Sequence, residues 1–75
     1  MFTYQTQEEK IYHPLTGSYT AYGILVVCQS KLIEYVSNVF LNRAEAEDFV
    51  GLCNELELDV IHLHDVIEDT IRQKI

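Results

Sequence analysis

Tyr19-Thr20-Ala21-Tyr22-Gly23-Ile24-Leu25-Val26-Val27-Cys28 decides how this chain folds. The stretch is aromatic and β-branched and ends in a nearly continuous apolar run, which predicts a central, well-buried strand. Gly23 interrupts it, and a glycine inside a strand marks a bulge or a close backbone approach. Outward from there, Gln29-Ser30-Lys31 is a short hairpin connection. Leu32 to Leu41 (LIEYVSNVFL) then supplies the antiparallel neighbour. On the other side, His13-Pro14-Leu15-Thr16-Gly17 sets a proline ahead of a glycine and reads as a turn. Phe2 to Tyr12 precedes it and mixes Thr, Tyr and Gln with Glu8, Glu9 and Lys10, the composition of an exposed or edge strand.

Helical signals begin at Asn42. Its side chain can cap a helix whose third residue is Glu45, and Glu45, Glu47 and Asp48 place negative charge where the helix dipole favours it. Ala46, Phe49, Val50, Cys53 and Leu56 follow at helical spacing as one apolar stripe. Gly51 falls on the opposite, polar face. There it is either tolerated at a cost of about 1 kcal/mol relative to alanine or it marks a close backbone approach. The helix should end near Asn54-Glu55.

Asp59 can cap a second helix running to about Arg72 or beyond. Val60, Leu63, Val66, Ile67, Thr70 and Ile71 share its apolar arc, and His62, Asp65, Asp69 and Arg72 lie on the other side. Val60 to Leu63 also reads as a short fourth strand, but the apolar arc continues past it at helical period. The expected fold is therefore α+β in the order β-β-β-α-α, with both helices on one face of a three-stranded antiparallel sheet. Strands two and three carry more apolar side chains than one face needs. That excess points to an interface.

A chain of 75 residues predicts one small domain. Its hydrophobic fraction of 48% is too high for disorder, yet a core of this size nets only about 3–5 kcal/mol without staples. Cys28 and Cys53 sit where small buried hydrophobes belong, and the first residues show no secretory pattern. Both are expected as reduced thiols in a cytoplasmic protein. No apolar stretch approaches the ~20 residues that span a bilayer. A net charge of −7 argues against nucleic acid and against anionic membrane surfaces, and favours solubility or a basic protein partner.

The one dense cluster of chemically capable residues is His62-Leu63-His64-Asp65-Val66-Ile67-Glu68-Asp69. Imidazole and carboxylate are suitable zinc or non-haem metal ligands. On a helix His64 and Glu68 share a face, as do His62, Asp65 and Asp69, so two ligands can be presented but not a full set. A solvated acidic helix face with local His–carboxylate pairing accounts for the same residues. No catalytic, cofactor-binding or metal-binding residues are assigned. The serines lack nucleophile-elbow glycines, and Gly17, Gly23 and Gly51 are too far apart to cradle phosphate.

Tyr22-Gly23-Ile24, Asn54-Glu55-Leu56-Glu57-Leu58 and the helix His62 to Asp69 together carry a likeness to a known group. In its "YGI" strand and "HLxDVIED" helix the chain resembles small bacterial proteins of clostridial Gram-positive anaerobes, grouped as a domain of unknown function. The likeness runs from about Tyr19 to Ile71. It implies a cytoplasmic bacterial protein of this size and transfers no functional residue. The sequence thus predicts a non-enzymatic protein-interaction or regulatory module whose partner is another protein or a second copy in a homodimer. The alternative is a small-ligand or divalent-metal-binding protein using the His62 to Asp69 helix.

Overall fold

The computed structural model describes residues 1–72, so the expected extension of the second helix beyond Arg72 lies outside the described residues. Three strands, β1 (Thr3–His13), β2 (Gly17–Cys28) and β3 (Lys31–Phe40), form an antiparallel meander with β2 at its centre. Helix α1 (Arg43–Glu55) follows, then one 3-10 turn (Val60–His62), then α2 (Leu63–Arg72). The expected α+β order β-β-β-α-α is the observed one, and β1 is an edge strand.

The second helix starts later than its apolar arc suggests. Asp59 caps as expected, its Oδ1 accepting from the Ile61 amide at 3.1 Å, but His62 N–H then donates to the Asp59 carbonyl at 3.0 Å. That three-residue spacing winds the first turn more tightly than an α-helix, so regular α geometry begins only at Leu63. At α1 the expected Asn42 cap holds, its side chain accepting from Glu45 N–H at 3.2 Å.

The register separates the two faces of the sheet. Tyr4 pairs with Val26 and Thr6 with Ile24, while on the other side of β2 Val26 pairs with Glu34 and Ile24 with Val36. This set faces the helices, because Thr6 Oγ1 donates to Glu47 of α1 at 2.9 Å. Tyr4, Ile24, Val26 and Phe40 pack there against Ala46, Phe49, Val50 and Cys53 of α1 and Leu63 and Ile67 of α2. The Phe40 and Phe49 rings meet at 5.4 Å between centroids, tilted by 52°. Both helices therefore cover one face, as two apolar stripes and one sheet face require.

Two details, Leu56 and Cys28, depart from the sequence reading, and Gly51 follows the first of its two alternatives, a tolerated glycine. Leu56 is 66% exposed rather than part of the α1 stripe, since it is the C-cap, where the chain leaves the helix. A Cβ on Gly51 would meet nothing within 4 Å, so no backbone approaches it. Both cysteines are free, but only Cys53 is buried, and burial pushes its thiol up to about 11. Cys28 is half-buried at the end of β2.

The end of α1 does more than stop a helix. Glu57 adopts φ 51°, Leu58 N–H donates to the Cys53 carbonyl at 3.0 Å, and Glu57 N–H donates to the Asn54 carbonyl at 3.2 Å. This is a Schellman motif with glutamate in the left-handed position usually given to glycine. It presents the Leu58 carbonyl to the Tyr4 hydroxyl, which donates to it at 2.6 Å. One turn earlier, the Asn54 amide accepts from Tyr4 N–H at 2.8 Å and donates to the Tyr4 carbonyl at 2.9 Å. Asn54 thus fills the place of a neighbouring strand on the outer edge of β1, where unpaired backbone groups invite aggregation.

Candidate functional site: the open face of the sheet

Residues alternating with the buried set form the second face, which no helix covers. On β1 these are His13 at the hairpin end, opposite Gly17, and Thr3, Gln5, Gln7, Glu9 and Ile11, which lie opposite Val27, Leu25, Gly23, Ala21 and Tyr19 of β2. Strand β3 adds Leu32 opposite Val27 and Tyr35 opposite Leu25.

Half of this face is a polar bridge across three strands. The Tyr35 hydroxyl donates to Glu9 Oε2, Ser37 Oγ donates to the same oxygen at 2.8 Å, and Asn38 N–H donates to Glu9 Oε1 at 2.8 Å. Asn38 stands at φ 57°, a left-handed conformation that asparagine tolerates, and its side chain donates to the Tyr19 hydroxyl at 3.1 Å. The pairing of β2 with β3 shifts between Tyr22 and Ile24, so β3 bulges where it supplies these donors. Beneath the bridge, Ala21 and Gly23 are buried although no helix lies on this side. Small residues are required there. A Cβ on Gly23 would stand 2.5 Å from the Tyr35 hydroxyl oxygen and 2.7 Å from the Val36 carbonyl oxygen.

Burial alone raises the pKa of Glu9, but the hydrogen bonds from Tyr35, Ser37 and Asn38 together outweigh it and hold the carboxyl below its ordinary value of 4.5. Burial and the same Glu9 bond push the Tyr35 phenol up to about 12, so it stays a donor at neutral pH. A carboxyl depressed in the folded state stabilises fully above its unfolded pKa, and that contribution is lost as pH falls through the folded value. Glu9→Gln is therefore expected to cost about 1–2 kcal/mol at pH 7, from mismatched donors. It should also flatten the fall in melting temperature below about pH 4.5. Acid limbs of equal steepness in the two proteins, followed by circular dichroism, refute that role for Glu9.

The other half of the face is apolar. Leu25 and Val27 are half-buried by their strand neighbours alone, Leu32 is 61% exposed and Tyr35 37%. Its polar border, Thr3, Gln5 and Gln7, is uncharged. Of the twelve acidic residues, only Glu9 is on this face, its carboxylate held by the neutral donors of the bridge. Glu8 and Glu34 point to the helix side, and the rest lie on the helices or their connections. Lys10 and Lys31 also belong to the helix side, while Arg43 and Arg72 are in the helices.

The histidine–carboxylate cluster does not converge. His62 is in the 3-10 turn and exposed, as are Asp65 and Asp69 on α2. His64 Nε2 lies 3.4 Å from Oε2 of Glu34 on β3, and Glu68 pairs with Arg72 one turn on. Among the described residues, no three His, Cys, Asp or Glu side chains gather as a metal site needs. Nor is any helix among them long and apolar enough to cross a membrane.

A cleft of about 600 Å3 opens where β2 runs past the end of β3, lined by Thr16, Tyr19, Thr20, Asn38, Val39 and Leu41. Its lining offers hydroxyls, an amide and alkyl groups, and it holds no carboxylate, imidazole or thiol. Such a lining can bind a neutral polar group but brings no nucleophile–base pair. Neither the bridge nor the cleft is marked by a motif in the sequence. The only local signal is Gly23, whose reading as a close approach is correct, with a side chain and a carbonyl both against it. No family model, characterised protein or solved structure matches the chain.

Proposed function

We propose that this chain is a cytoplasmic, non-enzymatic protein-interaction or regulatory module that docks through the open face of its sheet. The observation carrying this reading is the distribution of charge. A protein of net charge −7 keeps the lysines, arginines and carboxylates of its described residues, the bridged Glu9 apart, off one face, and leaves Leu25, Val27, Leu32 and Tyr35 on it. Contiguous apolar surface with a neutral polar rim is the composition of a docking site, whereas solubility alone favours scattered charge. Two unbonded thiols suit a reducing compartment.

The test compares three immobilised baits in an extract of the native cells: the unaltered chain, Leu32→Lys on the face, and Leu56→Lys at the end of α1. A protein retained by the unaltered chain and by Leu56→Lys, but lost with Leu32→Lys, supports docking through this face. Identical retention by all three baits, or none by any, overturns it.

A further inference from the structure

We infer that the partner of the open face is a second copy of this chain, stacked sheet against sheet about a two-fold axis. This rests on the docking reading above and names its occupant.

Charge opposes self-association less on this face than on the helix side. Acidic chains repel one another wherever their carboxylates meet, and ten of the twelve acidic residues are in the helices, the connections around them, or on β3 facing α2. Glu8 and Glu9 are the other two, Glu8 on the helix side and Glu9 within the bridge. A basic partner would be drawn to the helix side and would gain little electrostatically from a face whose one carboxylate is already hydrogen-bonded. Two copies stacked on that face keep their sheets about 10 Å apart. Their acidic helix layers then stand about 30 Å apart, more than three Debye lengths of about 8 Å at physiological salt. The pairing thus keeps the acidic helix layers apart and leaves one hydrogen-bonded carboxylate, Glu9, on each stacked face.

The area sets the strength. Strands about 4.8 Å apart and about 34 Å long give three strands a face of about 500 Å2. Two copies bury about 1,000 Å2, at the lower limit for a specific interface. A reversible dimer with a Kd in the micromolar range is the expected outcome. The two-fold axis also suits the surface, because an isologous contact needs only one self-complementary patch. Leu25, Val27 and Leu32 supply the apolar part and Gln5 and Gln7 neutral amides that both donate and accept.

Sedimentation velocity of the full chain from low to high micromolar concentration tests this. The unaltered protein and Leu56→Lys should pass from monomer to dimer, and Leu32→Lys should weaken the dimer at least tenfold while keeping its circular dichroism spectrum. Leu25→Lys, on the neighbouring strand, should weaken it similarly and covers the case in which Leu32→Lys perturbs the β3 edge. An unaltered chain that stays monomeric throughout overturns the second-copy inference, as does a dimer weakened equally by Leu56→Lys. In the first case, retention of another protein that Leu32→Lys abolishes leaves the docking reading standing, and retention unchanged by Leu32→Lys removes both.

Discussion

Replacing Tyr4 by alanine is expected to leave the chain largely unfolded at room temperature. The side chain is among the largest fully buried ones in the molecule, and it belongs to the cluster that joins the sheet to both helices. Truncating a buried aromatic ring to alanine costs about 3–5 kcal/mol, which equals the whole net stability of about 3–5 kcal/mol available to a core of this size. The Leu58 carbonyl also loses its donor. Tyr4→Phe separates the two effects. It keeps the ring and removes only the hydroxyl, so it should cost about 1–3 kcal/mol, the penalty of an unpaired group away from water. Burial first, then the nearby acidic groups of Cys53, Asp59 and Glu34, raise the Tyr4 phenol, so the bond to Leu58 holds throughout the neutral range. Urea titrations of both variants provide the measurement. A Tyr4→Phe midpoint equal to that of the unaltered chain would show that the Leu58 bond contributes nothing.

Tyr4 also marks the limit of what the sequence discloses. Alternation and β-branching were enough to find three strands, the Pro14–Gly17 turn and the central place of β2, because those signals are local. The apolar arcs of α1 and α2 were legible for the same reason. Asn54 gave no such signal. A polar residue in the last turn of a helix reads as solvated, and nothing local says that it will sit beside a strand fifty residues earlier in the chain. The left-handed residue ending α1 is Glu57, not glycine, so the Schellman motif was hidden as well. Gln29 and Ser30, both at positive φ, likewise form a two-residue hairpin turn that the sequence does not spell with Asn-Gly.

The open face was half legible. An excess of apolar residues on β2 and β3 announced that the second face is not an ordinary solvated one. Its polar half could not be foreseen, since Glu9, Tyr35, Ser37 and Asn38 come together only through the bulge in β3. Glu9 read as one charge among many on an edge strand. Bridged, it is the one carboxylate of the face and has three donors bound to it. The histidine cluster shows the reverse case. Residues adjacent in sequence, His62 to Asp69, are dispersed by the change from 3-10 turn to helix and by the pairings of His64 with Glu34 and Glu68 with Arg72.

Gly23→Ala is the second substitution with a large expected effect, and it tests the bridge and the face together. Two obstacles meet the new methyl group, and they differ in kind. The Tyr35 hydroxyl, 2.5 Å away, is the end of a side chain and can swing aside, but only by releasing Glu9. The Val36 carbonyl, 2.7 Å away, is backbone of β3 and can move only with the strand. Overpacking of this kind costs about 1–3 kcal/mol and sometimes more, against a net stability of about 3–5 kcal/mol. A melting temperature lower by about 4–24 °C is expected, since each kcal/mol shifts a domain of this size by about 4–8 °C. Tyr35→Ala combined with Gly23→Ala discriminates between the obstacles. If the side chain were the only barrier, the double variant would regain the stability of Tyr35→Ala alone. Because the Val36 carbonyl stays in place, the double variant should remain less stable than Tyr35→Ala, and complete recovery would show that β3 yields to the methyl group at no cost. Loss of the bridge would further free the charge of Glu9 on the open face, so any Gly23→Ala protein that stays folded at low temperature should dimerise less than the unaltered chain at equal concentration.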